Sequence, residues 1–319
     1  MRKRIEGLAQ TGAKASWWAP AQRRERFHSM LPRVWGMERK RESMNLLVSL
    51  DENYLPQLQV LLASLCQNCP GETGSVYLLH RSIPRQKLDG LGESLKMHGW
   101  ELCPIPVGES LFSKAPVTKQ YPQEMYYRLL AGHLLPREVN RVLYLDPDIL
   151  VINPLKPLWQ MDLQGNLFAA AAHTGKTELA NSLNRVRLGT EGDYYNSGVL
   201  LMDLERCREE IRPQELFSFV EEHSRELVLP DQDVLNALYG DRVLPLDDVI
   251  WNYDARNYSS YLMRSMGEAD LPWVMRHTAI LHFCGKEKPW KPYYRHRFGV
   301  LYLHYEEVAK RWFSGQGAL

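Results

Sequence analysis

Two aspartates separated by one residue, Asp146 and Asp148, directly follow the apolar segment RVLYL (141–145). Side chains two positions apart on an extended backbone point the same way, and Pro147 cannot continue the hydrogen-bond ladder of the strand. Adjacent carboxylates repel each other unless a cation lies between them, and a hard divalent ion binds carboxylate and diphosphate oxygens alike. The alternative is a surface turn, in which Asp and Pro are common. The position at the end of a buried strand favours the metal site.

A histidine ends a second apolar segment, AILHF (279–283), which is followed by CGKEKPW. His282 is a candidate third metal ligand, because imidazole is a frequent ligand of metal ions. Gly285 would let the backbone approach a phosphate, and Lys288 would add positive charge beside it. A lone histidine is often structural, and Lys286 and Lys288 could be solvated loop charges, so this pattern gains weight only together with the aspartates.

A third polar segment, SLDENY (49–54), lies where the first apolar strand gives way to a helix. In open α/β sheets this junction holds nucleotides. Asp51 and Asn53 could hydrogen-bond a base or a ribose, and Tyr54 could stack on the base. A helix N-cap followed by a buried tyrosine fits the same residues.

The elements that must position these residues alternate between strand and helix from about residue 44 onward. The predicted strands are 45–50, 75–80, 101–107, 141–146, 167–173, 197–204 and 279–283, and the predicted helices are 54–69, 83–99, 125–136, 212–226, 230–240 and 293–313. Strand, helix and strand in succession predict an α/β fold with a Rossmann-like mixed sheet flanked by helices. Arg128 falls inside a predicted helix among apolar neighbours, where it is either a surface charge or the partner of a buried anion.

The composition, with 45% hydrophobic and 24% charged residues, is that of an ordinary soluble globular protein. No run of about 20 apolar residues suits a membrane-spanning helix, and no secretory leader is recognisable. Five cysteines without a paired framework favour reduced thiols and a cytoplasmic location. No basic stripe interleaves with aromatic residues, so nucleic-acid binding is not expected.

The net charge of +1 is unevenly distributed along the chain. Residues 1–43 hold 11 Lys and Arg against 4 Asp and Glu, in a segment that also contains tryptophans. This segment could lie on an anionic membrane surface, be poorly ordered, or not belong to the natural protein, which would then start at Met44. We expect a basic extension at 1–43, a single α/β domain at 44–295 and a C-terminal helical tail at 296–319.

Seven segments, taken in order, resemble the retaining glycosyltransferases of family 8, which include bacterial lipopolysaccharide galactosyl- and glucosyltransferases, glycogenin and galactinol synthase. They are VSLDENY, YYRLLAGHLLP, VLYLDPDILV, PLWQMDL, YYNSGVLLMDL, LPDQDVLN and HFCGKEKPW. Each segment alone is weak, whereas seven in the same order are specific. The resemblance implies a GT-A fold, a UDP-hexose donor, a divalent metal ion and retention of the anomeric configuration.

The resemblance also implies roles for individual residues. Asp146, Asp148 and His282 would hold manganese, or magnesium, on the diphosphate. Gly285 and Lys288 would clasp the phosphates as a lid. The residues that would line the uridine are Ser49, Leu50, Asp51, Asn53 and Tyr54. The residues that would surround the transferred sugar and take part in catalysis are Arg128, Asn196, Asp231 and Gln232.

Two points are left open by the resemblance. His173 stands about where galactosyltransferases of the family carry an acidic residue, so neither glucose nor galactose is favoured. Retention usually requires a carboxylate nucleophile, but Gln232 is a poor one. Asp231 and Asp233 flank it, although Asp231 could be a first-turn charge and Asp233 a surface residue. A same-face attack, in which the leaving diphosphate takes the proton of the acceptor, is therefore the favoured mechanism.

Two other functions fit parts of the pattern. A sugar-nucleotide-binding protein without transfer activity would keep the same pocket. A sugar nucleotidyltransferase would carry a glycine-rich, basic loop after its first strand, and SLDENYLPQ contains no glycine.

The acceptor is expected to be a glycan, a glycolipid or another hydroxyl compound. The stretch between 251 and 273 is predicted to be irregular, and its residues Trp251, Asn252, Tyr253, Tyr258 and Trp273 could form a stacking surface for a glycan or could belong to the core. The basic and aromatic tail could hold the enzyme at the inner face of a membrane that carries a lipid-linked acceptor, or its aromatics could pack inward. The tail residues concerned are Lys288, Trp290, Lys291, Arg295, Arg297, Lys310, Arg311, Trp312 and Phe313.

Overall fold

The computed structural model describes residues 43–108, 124–172, 184–190 and 192–313. The described residues belong to one compact unit that begins at Ser43. The expectations for the basic extension, for His173 and for the last six residues of the tail lie outside the described part of the chain.

A seven-stranded sheet forms the centre of the fold, in the order β3-β2-β1-β4-β7-β6-β8. Its strands are β1 (Met44–Ser49), β2 (Gly74–His80), β3 (Trp100–Pro106), β4 (Arg141–Leu145), β6 (Phe168–Ala171), β7 (Val199–Asp203) and β8 (Val243–Leu246). The first four strands run parallel, and β7 runs antiparallel to both β4 and β6. Apolar residues fill both faces of the central strands, which is typical of a sheet covered by helices on each side. The predicted mixed α/β sheet is therefore confirmed.

Helices cover both faces of this sheet and form two separate apolar layers with it. The helices are α1 (Leu55–Asn68), α2 (Arg85–Lys96), α3 (Glu124–Tyr127), α4 (Ala131–Leu134), α5 (Lys156–Trp159), α6 (184–188), α7 (Leu204–Glu210), α8 (Pro213–Glu222), α9 (Pro230–Tyr239), α10 (Asp248–Trp251), α11 (Tyr258–Arg264), α12 (Leu271–His277) and α13 (Gly299–Phe313). On one face α1 and α2 pack against β1 and β2, and on the other α7, α8 and α9 pack against β4 and β7. None of the described helices is long and apolar enough to cross a membrane.

A second sheet of three short strands lies beside the first, in the order β5-β10-β9. It consists of β5 (Ile149–Val151), β9 (Tyr253–Asp254) and β10 (Ile280–His282). The antiparallel pairing of β10 with β5 sets His282 opposite Ile149, one residue after Asp148. This small sheet therefore brings His282 close to Asp146 and Asp148.

Two predicted helices differ from the observed ones. The segment 125–136 is not one helix, because residues 128–130 form a turn between α3 and α4. The turn is closed by short-range hydrogen bonds, from Leu129 N to Tyr126 O and from Ala131 N to Arg128 O, and it holds the buried Arg128 side chain. The C-terminal helix starts at Gly299 and not at residue 293, where Tyr293 has a positive φ of 74°.

The aromatic stretch after residue 250 is regular, contrary to expectation. It forms α10, β9, α11 and α12. Tyr253 and Tyr261 lie in a third buried cluster, with ring centroids 4.2 Å apart. Asn252 and Tyr253 are each 0% exposed, so these two residues are core and do not offer a stacking surface to a glycan.

Cys66 and Cys69 lie at the end of α1 as free thiols. Burial raises the pKa of Cys66 to about 12 and that of Cys69 to about 11. Since the thiolate is the reactive form, this pair is not set up for redox chemistry.

Candidate active site

The candidate site lies at one edge of the central sheet, where the ends of strands from both sheets meet. Asp146 follows β4, and its backbone N–H donates to Gly198 O at 2.8 Å, just before β7 begins. Because β7 is antiparallel to β4, the start of β7 reaches the same edge as the end of β4. Asp148 precedes β5 and His282 ends β10, so the second sheet supplies the remaining side chains.

Asp146, Asp148 and His282 form a cluster whose candidate ligand atoms all lie within 4.8 Å of one another. His282 Nε2 is 3.3 Å from Asp148 Oδ1 and 3.8 Å from Asp146 Oδ2. Burial would raise the pKa of Asp148, but the positive charges of His282 and Lys288 outweigh it and hold that pKa well below its usual value. The cluster therefore combines the ionised Asp148 carboxylate, the Asp146 carboxyl group and the His282 ring, which would release its Nε2 proton on binding a divalent ion.

Gly198 forms the floor of this cluster and was not singled out from the sequence. A Cβ added there would overlap His282 Cε1 and lie 2.7 Å from Asp146 Oδ2. Only glycine therefore leaves the space between these two side chains free. The N-S-G sequence within YYNSGVLLMDL was the available signal for this position.

Arg128 lies buried between two acidic groups. Its NH1 group is 3.0 Å from Asp146 Oδ1 and 3.2 Å from Asp231 Oδ2, and its guanidinium lies 4.5 Å from the centre of the Tyr144 ring. Burial alone would lower the pKa of Arg128, but the neighbouring carboxylates raise it, so the side chain stays charged. The Tyr144 hydroxyl donates to Asp146 Oδ1 at 2.7 Å and was also missed from the sequence. The interpretation of Arg128 as the partner of a buried anion is the correct one.

Three carboxamides connect His282 to α9. His282 Nδ1 lies 2.8 Å from Asn252 Oδ1, and Asn252 Nδ2 donates to Asn196 Oδ1 at 2.9 Å. Asn196 Nδ2 donates in turn to Gln232 Oε1 at 3.0 Å. The sequence-predicted sugar residues Asn196 and Gln232 are thus brought into contact with each other, and Ser197 Oγ donates to Asp231 at 2.8 Å.

Asp233 is fully buried, so its interpretation as a surface residue is wrong. Its carboxylate accepts hydrogen bonds from the Tyr194 hydroxyl at 2.5 Å and from Arg187 at 2.7 and 3.0 Å. The backbone N–H groups of Val228 and Leu229 donate to it at 2.7 and 3.0 Å. Five donors occupy both oxygens, which makes this aspartate a structural anchor of α9.

The segment 49–54 lies beside the cluster at the end of β1. Ser49 and Leu50 are buried, and Ser49 Oγ is 3.4 Å from the Tyr144 hydroxyl. The Asp51 carboxylate accepts a hydrogen bond from Asn53 N at 2.8 Å, so Asp51 is the helix N-cap that the sequence also suggested. Tyr54, however, is 39% exposed and not buried, so its ring remains accessible to a ligand.

The loop after β10 reaches back over the cluster. Lys288 Nζ donates to the Asp148 carboxylate and, at 2.9 Å, to Phe283 O. Trp290, two residues later, lies edge-on to Tyr54 with ring centroids 6.3 Å apart. Gly285 has a φ of 82°, and a Cβ there would overlap the Arg256 guanidinium. The loop therefore links the metal-ligand cluster to the 49–54 segment.

A family model described as glycosyl transferase family 8 matches residues 45–293 of this chain, the range that holds every residue of the site. The chain belongs to glycosyltransferase family 8. This glycosyltransferase is 29% identical over 280 residues to general stress protein A of Bacillus subtilis, a match that covers 85% of this chain and 96% of that protein. It is 22% identical to a lipopolysaccharide 1,2-glucosyltransferase of Escherichia coli, over 79% of this chain and 74% of the relative.

Solved structures support the same fold for this family 8 glycosyltransferase. The galactosyltransferase LgtC, solved in complex with donor and acceptor sugar analogues, aligns with a TM-score of 0.69 at 24% identity, covering 83% of this chain and 95% of LgtC. GlyE of Streptococcus pneumoniae aligns with a TM-score of 0.62 at 23% identity, over 85% of this chain and 63% of GlyE. These likenesses establish the GT-A fold.

Proposed function

We propose that this glycosyltransferase transfers glucose or galactose from a UDP-sugar to a hydroxyl acceptor, with retention at the anomeric carbon and with a divalent ion, Mn²⁺ or Mg²⁺. The observation that carries the proposal is the convergence of Asp146, Asp148 and His282 beside Lys288 and the exposed residues Asp51, Asn53 and Tyr54. The lipopolysaccharide glucosyltransferase relative supports a hexose and a glycan or glycolipid acceptor.

The residues present fit a divalent ion. Two carboxylates and one imidazole lie within 4.8 Å of one another, and Gly198 keeps the space between them free of a side chain. A divalent ion bound there would neutralise charge on the diphosphate leaving group. Lys288 would bind the phosphates from the loop, and Gly285 would let the backbone approach them closely.

The residues around Gln232 support a same-face attack. The Asp233 carboxylate is saturated by five donors and is not free to act as a nucleophile. Asp231 is held by Arg128 and Ser197, and Gln232 presents an amide. With no free carboxylate among these three residues, the diphosphate takes the proton of the acceptor as it leaves.

The uridine would lie on the 49–54 segment. The Asp51 and Asn53 side chains are exposed at the end of β1, and the exposed Tyr54 ring offers a face to the base. Ser49 and Leu50 would close the inner wall of this pocket through their backbone groups.

A surface after the Lys288 loop supports binding to an anionic membrane that carries the acceptor. The exposed residues of this basic-apolar surface are Lys291, Tyr293, Arg295, Arg297, Val300 and Leu303. No acidic residue occurs between 289 and 305. Cations beside exposed apolar side chains suit the interface of an anionic membrane, and such an acceptor would place the enzyme at the cytoplasmic face.

Release of UDP from UDP-glucose and UDP-galactose, measured with Mn²⁺ and with a chelator, tests the proposal. We expect slow release that requires the metal and falls at least about 100-fold in Asp148→Ala. Asp89→Ala, which removes an exposed aspartate from α2, should release UDP at the wild-type rate. Metal-dependent UDP binding without release would favour a binding protein, and release of pyrophosphate from UTP with a sugar phosphate would favour a nucleotidyltransferase.

A further inference from the structure

The orientation of the buried carboxamides is determined by one backbone group. Gly198 N–H donates to Asn196 Oδ1 at 3.0 Å. A backbone N–H can only donate, so this contact identifies the oxygen side of the Asn196 carboxamide. Its amide nitrogen must then point the other way, towards Gln232 Oε1, 3.0 Å distant. Ser197 N–H, 3.4 Å from the same Gln232 oxygen, agrees with that direction.

The orientation of Asn196 in turn determines that of Asn252, which lies between it and His282. Asn196 Oδ1 can only accept, so Asn252 must present its amide nitrogen to it, at 2.9 Å. Asn252 Oδ1 therefore faces His282 Nδ1, at 2.8 Å. Because a carbonyl oxygen cannot donate, Nδ1 carries a proton, both in the charged ring and in the neutral ring that binds a metal. Nε2 is then the nitrogen directed at Asp148 and Asp146.

Burial makes this direction costly to reverse. Asn252 is 0% exposed, His282 is 3% exposed and Gln232 is 8% exposed. Turning the Asn252 carboxamide over would set two oxygens against each other at Asn196 and an amide against the protonated nitrogen of His282. Each mismatch would leave buried polar groups without partners, which costs far more than an exposed mismatch.

We propose that Asn252 is a positioning residue that couples the metal ligand His282 to the Asn196–Gln232 pair of the sugar site. This inference rests on the proposed function, in which His282 binds the metal through Nε2. A hydrogen bond from the other ring nitrogen of a ligand histidine fixes its tautomer and ring orientation. Asn252 supplies that contact with its oxygen, while its nitrogen holds Asn196 in the orientation that Gln232 requires.

Two substitutions at this position separate the contact of the Asn252 oxygen with His282 from the contact of its nitrogen with Asn196. Asn252→Ala removes both contacts. We expect its Mn²⁺ affinity to fall about 10- to 100-fold, and its kcat for donor hydrolysis to fall as well. Asn252→Asp keeps an oxygen for His282 but sets a second oxygen against Asn196 Oδ1. We expect its Mn²⁺ affinity to remain at least that of the wild type while kcat falls more than about tenfold.

Mn²⁺ titrations followed by electron paramagnetic resonance measure the Mn²⁺ affinity, and UDP release at saturating Mn²⁺ measures kcat. Thr278→Val is the matched control, because it removes the hydrogen bond of another buried side chain, from Thr278 to Val249 O, and leaves the three carboxamides unchanged. Its affinity and kcat should stay near the wild-type values.

Wild-type Mn²⁺ affinity in Asn252→Ala would overturn the inference, and so would equal loss of Mn²⁺ affinity in the alanine and aspartate variants. Failure of the wild-type protein itself to bind Mn²⁺ would instead refute the proposed metal site, and the coupling with it. Only a split between the two variants supports Asn252 as the link.

Discussion

Gly198, Asn252 and Tyr144 contribute to the candidate site through contacts with residues distant in the sequence. The D-P-D pair could be predicted because its spacing and its position after a strand are local properties of the sequence. The role of Asn252 depends on His282, 30 residues away, and on Asn196, 56 residues away. No local pattern encodes such contacts, so the role of Asn252 could be found only in the folded chain.

Gly198→Ala is expected to disrupt the metal-ligand cluster. The new Cβ would overlap the His282 ring and crowd the Asp146 carboxylate, so the ligands would have to move apart. We expect Mn²⁺ affinity to fall more than about tenfold and UDP release to fall with it, as measured by titration and by donor hydrolysis.

Gly90→Ala provides the matched control for that substitution. An added Cβ at Gly90 meets no atom within 4 Å, and alanine is favoured in the interior of α2. Normal Mn²⁺ binding by Gly198→Ala would contradict the role of this glycine as the floor of the site.

At the scale of elements, the long strands and helices followed from apolar periodicity, whereas only β10 of the second sheet was predicted, within the segment 279–283. Strands β5 and β9 have three and two residues, too few for an alternating pattern to be recognised. The turn at 128–130 was missed for another reason, because the apolar residues around Arg128 fit helical spacing. A buried ion pair, which the spacing cannot reveal, occupies that turn.

Asp233 joins α6 to α9 through its hydrogen bonds. Its replacement should lower the free energy of unfolding more than the rate of UDP release by the folded protein. Asp233→Asn leaves the buried part of Arg187 without its anion and the donors at the start of α9 poorly matched. We expect the free energy of unfolding in urea to fall by about 3–5 kcal/mol. Asp193→Asn, at an exposed aspartate 3.8 Å from Arg185, should change it little.

An unfolding free energy unchanged in Asp233→Asn would show that the five hydrogen bonds do not hold α9. Any loss of UDP release in this variant should be recovered when the protein is assayed at a temperature where it is fully folded.

For the whole molecule, the match to the family extends over residues 45–293, while the basic-apolar surface lies mostly at and beyond its end. The tail predicted from the sequence divides into two parts. Trp312 stacks on His98 at 4.0 Å, so its ring packs inward, while the exposed Lys310 pairs with Glu306 and Glu307. Lys291, Arg295 and Tyr293, which is 88% exposed, face solvent.

Sedimentation with vesicles that contain anionic lipid tests the basic-apolar surface. Replacing Lys291 and Arg295 together by glutamate should weaken vesicle binding roughly tenfold or more, since each cation near an anionic membrane contributes about 1 kcal/mol. The same replacement at Lys310 and Arg311 should have less effect, because carboxylates already neutralise Lys310. No binding by the wild-type protein at low salt would rule out this surface as a membrane contact.

The contact between Lys288 and Asp148 joins residues 140 positions apart, and this separation has a consequence for synthesis. At a translation rate of about 5–20 residues per second, the ribosome adds Lys288 roughly 7–28 s after Asp148. For most of that interval the nascent chain holds both aspartates but lacks β10 and the loop that follows it. A chain released before residue 288 would therefore lack Lys288 from the site, so only a product that extends past this residue holds the complete candidate site.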